Sequence, residues 1–188
     1  MNLMTSEAAL RRLPAVEPQT DVLFFAIADT ALGKVLLARS GKGVCAILLG
    51  DDAAELEADL ATRFPEATLV ANDVMVHDDL AKVARYAEKP SEGLNMTLDM
   101  RGTPLQRRIW AQIRAIPVGK TMSYMHLARL INCVYPRVAA RVVANACAAN
   151  PIALAVPCHR VIRADGELAG YRWGIERKRD LLQKEAAA

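Results

Sequence analysis

The chain has 188 residues, of which 53% are hydrophobic and 24% charged, with a formal net charge of +3. This is length for one large domain or two small ones around a true core, and no apolar run is long enough to span a bilayer. Its four cysteines, Cys45, Cys133, Cys147 and Cys158, show neither C-x-x-C pairing nor zinc-like spacing, which points to free thiols in a reducing cytoplasm and away from a metal site. The charge is sorted by half. Residues 1–100 carry 9 Lys and Arg against 16 Asp and Glu, a net of −7, while 101–188 carry 15 against 5, a net of +10, and 12 of those cations are arginine. Such sorting points to a polyanionic partner facing the second half, nucleic acid above all.

Residues 1–20 have no continuous apolar core and carry acids, so they read as a flexible tail rather than a targeting peptide. A small α/β unit is expected over 21–100. "DVLFFAIAD", "KVLLARS" and "GVCAILLG" are short, β-prone and separated by "TALG" and "GKG", the pattern of a three-stranded meander. "DDAAELEADLATRF" follows as an amphipathic helix with Ala54, Leu56, Leu60 and Phe64 near one face and acids in its first turn. A second helix is expected over "HDDLAKVARYAE", with His77 at its start, and "LNMTLDM" alternates like a further strand.

The second unit, 101–188, begins with a helix. Thr103 fits as its cap, Pro104 as its first residue and Gln106 as the return arm of a capping box. Leu105, Ile109, Ile113 and Ile116 form its core stripe. The next helix is capped by Ser123 and buries Leu127, Leu130 and Ile131. After "NCVYP" a third runs from about Arg137 to Ala148. It has Ala139, Val142, Val143 and Ala146 on one face and Arg137, Arg141, Ala144 and Ala148 on the other. Two helices joined by a short turn, the second with a basic face of small residues, match a helix-turn-helix that reads DNA.

Asn150-Pro151 ends that helix, and "IALAV" reads as a buried strand leading to "PCHR". Neighbours on a strand point to opposite faces. Cys158 and His159 therefore touch only if Pro157 turns the chain sharply; otherwise a water links them. A thiol near pKa 8.5 is about a few per cent ionised at neutral pH, so a reactive Cys158 needs a base or a positive field. His159 is the candidate base, and Arg160 and Arg163 supply positive charge. In the last helix Ile175, Leu182 and Glu185 share a face beside Leu181. Glu185 is either solvated in a fraying turn or the carboxylate that orients the imidazole.

"PCHRVI" with "DGELAGYRWGIERKRDLLQKE" resembles the active-site segment of the methylated-DNA–protein-cysteine methyltransferases, the O6-alkylguanine-DNA alkyltransferases. "TPLQRRIWAQIRAIPVGKTMSY" and "AARVVANACAANP" are similar to the segments before it, and "IADTALGKVLLARSGKGVCAILLGDD" to the N-terminal half, so the resemblance covers about residues 20–185. "GYRWG" and "ACAANP" bring it nearest the C-terminal half of the bacterial adaptive-response regulators. The resemblance implies an α/β (α+β) fold, with a ribonuclease-H-like N-terminal domain and a winged-helix-like C-terminal one. It implies a monomer, without cofactor, acting on double-stranded DNA carrying O6-alkylguanine or O4-alkylthymine. The alkyl group would pass irreversibly to Cys158, in a single turnover. In that scheme His159 removes the thiol proton through a water and Glu185 holds the ring. Asn150 ties the helix-turn-helix to the active-site strand. Arg141 fills the space of the flipped nucleotide, Tyr124 assists its rotation, and Ser123, Arg137 and Ala144 face DNA. Val156, Pro157, Val161, Tyr171, Arg172 and Trp173 form the pocket, which bulky Trp173 narrows against large adducts.

"INCVYPRVAAR" is about three residues longer than the family's usual spacing at the turn before Arg141, and the cysteine-rich zinc domain of the regulators is absent from the sequence. Two other readings compete. One is a non-catalytic sensor of alkylated DNA, which would lack the acceptor cysteine. The other is a thiol hydrolase, which leaves the charge sorting unexplained.

Overall fold

The computed structural model describes residues 21–131 and 136–187, with the backbone alone at 136–138. The 1–20 tail, Cys133, the lengthened turn and the Arg137 side chain lie outside the described residues.

The meander forms as expected: β1 (Val22–Thr30), β2 (Gly33–Ser40) and β3 (Gly43–Gly50) are consecutive antiparallel strands. A fourth strand, β4 (Thr68–Ala71), pairs parallel to β1 and makes the order β3-β2-β1-β4. It is a crossover strand reached through helix α1 (Ala53–Arg63), whose N-terminus is capped by the Asp52 side chain. Helix α2 (Asp73–Glu88) is capped by Asn72 and so starts four residues before His77. "LNMTLDM" is not a strand. It contributes a single bridge, Leu98 to Val44.

Helix α3 (Pro104–Arg114) opens with the full capping box of Thr103 and Gln106. It buries Ile109, Trp110 and Ile113, whereas Leu105 in its first turn is 44% exposed. Trp110 is buried instead, and its Nε1 donates to the Ala146 carbonyl at 2.9 Å. A two-residue strand, β5 (Met122–Ser123), leads into α4 (Tyr124–Leu130), where the Ser123 side chain accepts from the His126 amide. Leu127 and Ala128 face the core, and Leu130 is 45% exposed. Helix α5 (Pro136–Ala149) packs against α4 and α3. Strand β6 (Val161–Ile162) pairs parallel with β5, and α6 (Ile175–Ala186) closes the fold.

The free edge of β3 collects two later segments, the second of which comes from the 101–188 half. Its Val44 exchanges backbone hydrogen bonds with Thr97 and Asp99, and its Ile47 does so with Pro151 and Ala153. An edge strand left open would be a site for unwanted pairing; here the segment that leads to Cys158 covers it. "IALAV" is therefore a strand for one bridge only, Ile152 to Ile47. The chain then turns at Leu154, which takes a left-handed φ of 67° that a buried, non-glycine residue rarely adopts. The Val156 amide returns to the Ile152 carbonyl at 3.0 Å. No helix among the described residues is long and apolar enough to cross a membrane.

Candidate active site

Cys158, His159 and Arg160 form one turn of 3-10 helix rather than a strand, with Pro157 as its cap. The opposite-face argument for strand neighbours does not apply here, because the chain turns at the proline. All three side chains are buried. Asn150, at the end of α5, organises the approach: its Nδ2 donates to the Val156 carbonyl at 3.0 Å and to Cys158 Sγ at 3.3 Å. Its Oδ1 accepts from the Ile152 amide at 2.9 Å. One amide thus ties the end of α5 to Cys158 Sγ.

Behind the sulfur lies an ion cluster. His159 Nε2 is 2.7 Å from Glu185 Oε1. Arg160 Nε donates to Glu185 Oε2 at 2.9 Å, and its Nη2 to Oε1 at 3.0 Å. Tyr86 Oη donates to Oε1 at 2.9 Å, and the Gly119 amide reaches Oε2 at 3.3 Å. Glu185 is 3% exposed, so it is not frayed. Burial opposes its charge, but the hydrogen bonds and charges of His159 and Arg160 outweigh that and hold its carboxyl down at about 2. Arg160 is therefore a structural counter-ion of Glu185, not a source of field for the thiol.

The tautomer follows. A carboxylate can only accept, so Nε2 carries the proton and Nδ1 keeps its lone pair. Nδ1 has no hydrogen-bond partner among the described residues. Burial pushes the His159 pKa down, against the pull of Glu185, so the ring is neutral at neutral pH. The Cys158 thiol is pushed up to about 11 by burial, partly countered by the Asn150 hydrogen bond and the charge of Lys178. Lys178 had not been expected here. It is fully buried on α6 and donates to the Val161 carbonyl at 2.6 Å, and burial lowers its pKa.

Cys158 opens onto a cavity of about 560 Å³ lined by Tyr124, by Ala140, Ala144, Cys147 and Ala148 of α5, and by Arg163, Ala169, Gly170, Tyr171 and Arg172. The small side chains of α5 form its mouth, with Arg141 exposed on the same helix. Of the expected pocket residues, Tyr171 and Arg172 line this cavity, and Val156, Pro157 and Val161 are buried outside its lining. Trp173 lines a different cavity, beside Leu56 and Asp59, and stands edge-on behind Tyr171 with 5.3 Å between ring centroids. It buttresses the wall and does not narrow the opening. Arg172 is held from the far side by Asp59 of α1 at 2.9 Å.

Residues missed by the sequence reading are Tyr86, Gly119, Cys147 and Lys178. Of these, only Cys147 carried a signal: it lies three positions before Asn150, one helical turn from the residue that bonds Cys158.

A buried thiol, a neutral histidine held by a carboxylate and a cavity walled by small side chains of α5 meet at one place, a cysteine-centred site beside the packed helices α4 and α5. Comparison with known proteins agrees. The family model for the 6-O-methylguanine DNA methyltransferase DNA-binding domain matches residues 104–187. The bifunctional transcriptional activator/DNA repair enzyme Ada of Escherichia coli is 46% identical over 162 residues, 86% of this chain. This chain spans only 45% of that protein. A methylated-DNA–protein-cysteine methyltransferase of Candida albicans is 35% identical over 87% of this chain and 96% of its own. The crystal structure of Mycobacterium tuberculosis OGT in complex with DNA superposes with a TM-score of 0.66 at 32% identity, over 88% of this chain and 93% of that one. The chain belongs to the methylated-DNA–protein-cysteine methyltransferase family.

Proposed function

We propose that this chain repairs alkylated DNA by taking the alkyl group from O6 of guanine, or O4 of thymine, onto Cys158, once per molecule. The observation that carries this reading is the thiol itself, seated at the wall of a cavity of about 560 Å³, roomy enough for a nucleobase, with Asn150 on the sulfur and the His159–Glu185 pair behind it.

The chemistry balances without a cofactor. Sγ attacks the alkyl carbon, an S–C bond forms and the O6–C bond breaks. The proton lost from sulfur passes through a water to His159 Nδ1. The guanine anion takes a proton at N1 from solvent, and His159 returns its own to solvent, so no proton is gained or lost overall. A thiol pushed up to about 11 by burial is protonated at rest, so a base must take its proton in the course of the reaction. The product thioether is a poor leaving group, and one molecule therefore repairs one lesion. The target base must leave the stack to reach a buried sulfur, at about a few kcal/mol. Arg141 on the low-relief face of α5 replaces it in the duplex, and Tyr124 at the cavity edge assists the rotation. Ser123, Arg137 and Ala144 belong to the DNA-facing surface, and the basic charge of 101–188 supplies sequence-independent affinity. We place the division between the acidic supporting unit and the acceptor unit at about residue 100, and the protein acts as a cytoplasmic monomer.

The test is peptide mapping by mass after incubation with a duplex carrying O6-methylguanine. One added methyl on the Cys158 peptide, absent in Cys158→Ser, is the expected result. Turnover beyond one equivalent, or binding with no gain in mass, would overturn it; the latter is what a sensor would do.

A further inference from the structure

We propose that Tyr86, supplied by α2 from the N-terminal half, is a positioning residue for the Cys158 reaction: by bonding Glu185 Oε1, its hydroxyl sets how strongly that oxygen pulls on the Nε2 proton of His159. The inference rests on Cys158 being the alkyl acceptor and His159 its base.

Three donors converge on Glu185 Oε1: His159 Nε2 at 2.7 Å, Tyr86 Oη at 2.9 Å and Arg160 Nη2 at 3.0 Å. Arg160 Nη2 also donates to the Tyr86 hydroxyl at 3.1 Å. Tyr86, Arg160, His159 and Glu185 are all buried, so no bulk water compensates for a lost bond. A guanidinium only donates, so Arg160 meets the Tyr86 lone pair and the buried O–H still needs an acceptor. The acceptor it finds is the very oxygen that orients the imidazole. Each donor on a carboxylate oxygen withdraws charge from it, and in a dry site such bonds act on one another. Removing the Tyr86 proton leaves Oε1 more basic, strengthens its hold on a protonated His159 and makes the ring keep its proton to higher pH.

The other groups around His159 stay in place. They are Glu185 and Lys178 from α6, Cys158 and Arg160 from its own turn, and Tyr171 with its ring centroid 6.4 Å away. Tyr86 also keeps its own proton throughout, since burial and the charge of Glu185 push its pKa up.

The experiment is single-turnover methyl transfer from an O6-methylguanine duplex across pH, in the full chain and in Tyr86→Phe, with duplex affinity measured separately. The acidic limb of the Tyr86→Phe profile is expected to move up by about one unit, from the size of a hydrogen bond to a charged group. Transfer is then up to about tenfold slower below the limb, unchanged on the plateau, with DNA affinity unaltered. A residue that served stability alone would lower the unfolding temperature and leave the limb in place. Replacing Tyr86 by 3-fluorotyrosine keeps its shape while strengthening the donor, so the limb moves down; this arm decides the matter if Tyr86→Phe does not fold. Coincident limbs in the folded variants overturn the inference. Absence of transfer by the unaltered chain overturns the proposed function instead.

Discussion

Replacing Glu185 by glutamine perturbs the most crowded acceptor in the molecule. Its two oxygens take five hydrogen bonds, from His159, Tyr86, Gly119 and both arms of Arg160. An amide with its oxygen at the Oε1 position turns its NH2 toward Arg160 Nε and the Gly119 amide, donor against donor, and Arg160 is left buried without a counter-charge. The carboxyl sits at about 2 against an ordinary 4.5, which corresponds to about 3 kcal/mol of folding free energy. That agrees with the roughly 3–5 kcal/mol cost of breaking a buried ion pair from one side. The sign follows from the depressed value. The contribution is complete above about pH 4.5 and is lost as pH falls through about 2. Urea unfolding should therefore show Glu185→Gln less stable by about 3 kcal/mol at pH 7, narrowing to about 1 kcal/mol at pH 3. A gap below about 1 kcal/mol at pH 7, or one that stays constant down to pH 3, would refute the reasoning.

Asn150→Ala removes three hydrogen bonds and should destabilise the fold by about 2–4 kcal/mol; alkylation of Cys158 by iodoacetamide, followed across pH, should shift to higher pH. Gly119 has a φ of 71°, and a Cβ there would lie 2.9 Å from the Glu185 carbonyl oxygen, so Gly119→Ala should cost about 1–3 kcal/mol in thermal unfolding and slow transfer by displacing Glu185. Arg141 is exposed, so Arg141→Ala should change stability by less than about 0.5 kcal/mol while weakening duplex binding in fluorescence anisotropy.

Local features were readable wherever a local rule governs them. The Thr103–Gln106 capping box is fixed by a spacing of three, and the Ser123 cap by the residue type that precedes a helix. The His159–Glu185 pair was legible only as a possibility, because the apolar face of α6 cannot say what it packs against. Strand β4 is short and half exposed, and its pairing with β1 lies across 46 positions from Val22 to Thr68, so no alternation marks it. "IALAV" is apolar enough to be a strand, yet after one bridge its hydrogen bonds turn inward. Tyr86 and Lys178 escaped notice for one reason: each looks ordinary on its own helix, and its meaning comes from partners 99 and 17 positions away. The charge sorting, by contrast, needs no fold to be seen, and its basic half is the half that the DNA-binding-domain family model matches.

The position of Glu185 also orders the birth of the protein. The Arg160 guanidinium, the His159 ring and the Tyr86 hydroxyl all precede it along the chain, and none can be buried at low cost before it docks. During synthesis the ribosome must release α6 before the cluster can close, so until then Arg160, His159 and Tyr86 lack the carboxylate that gathers them.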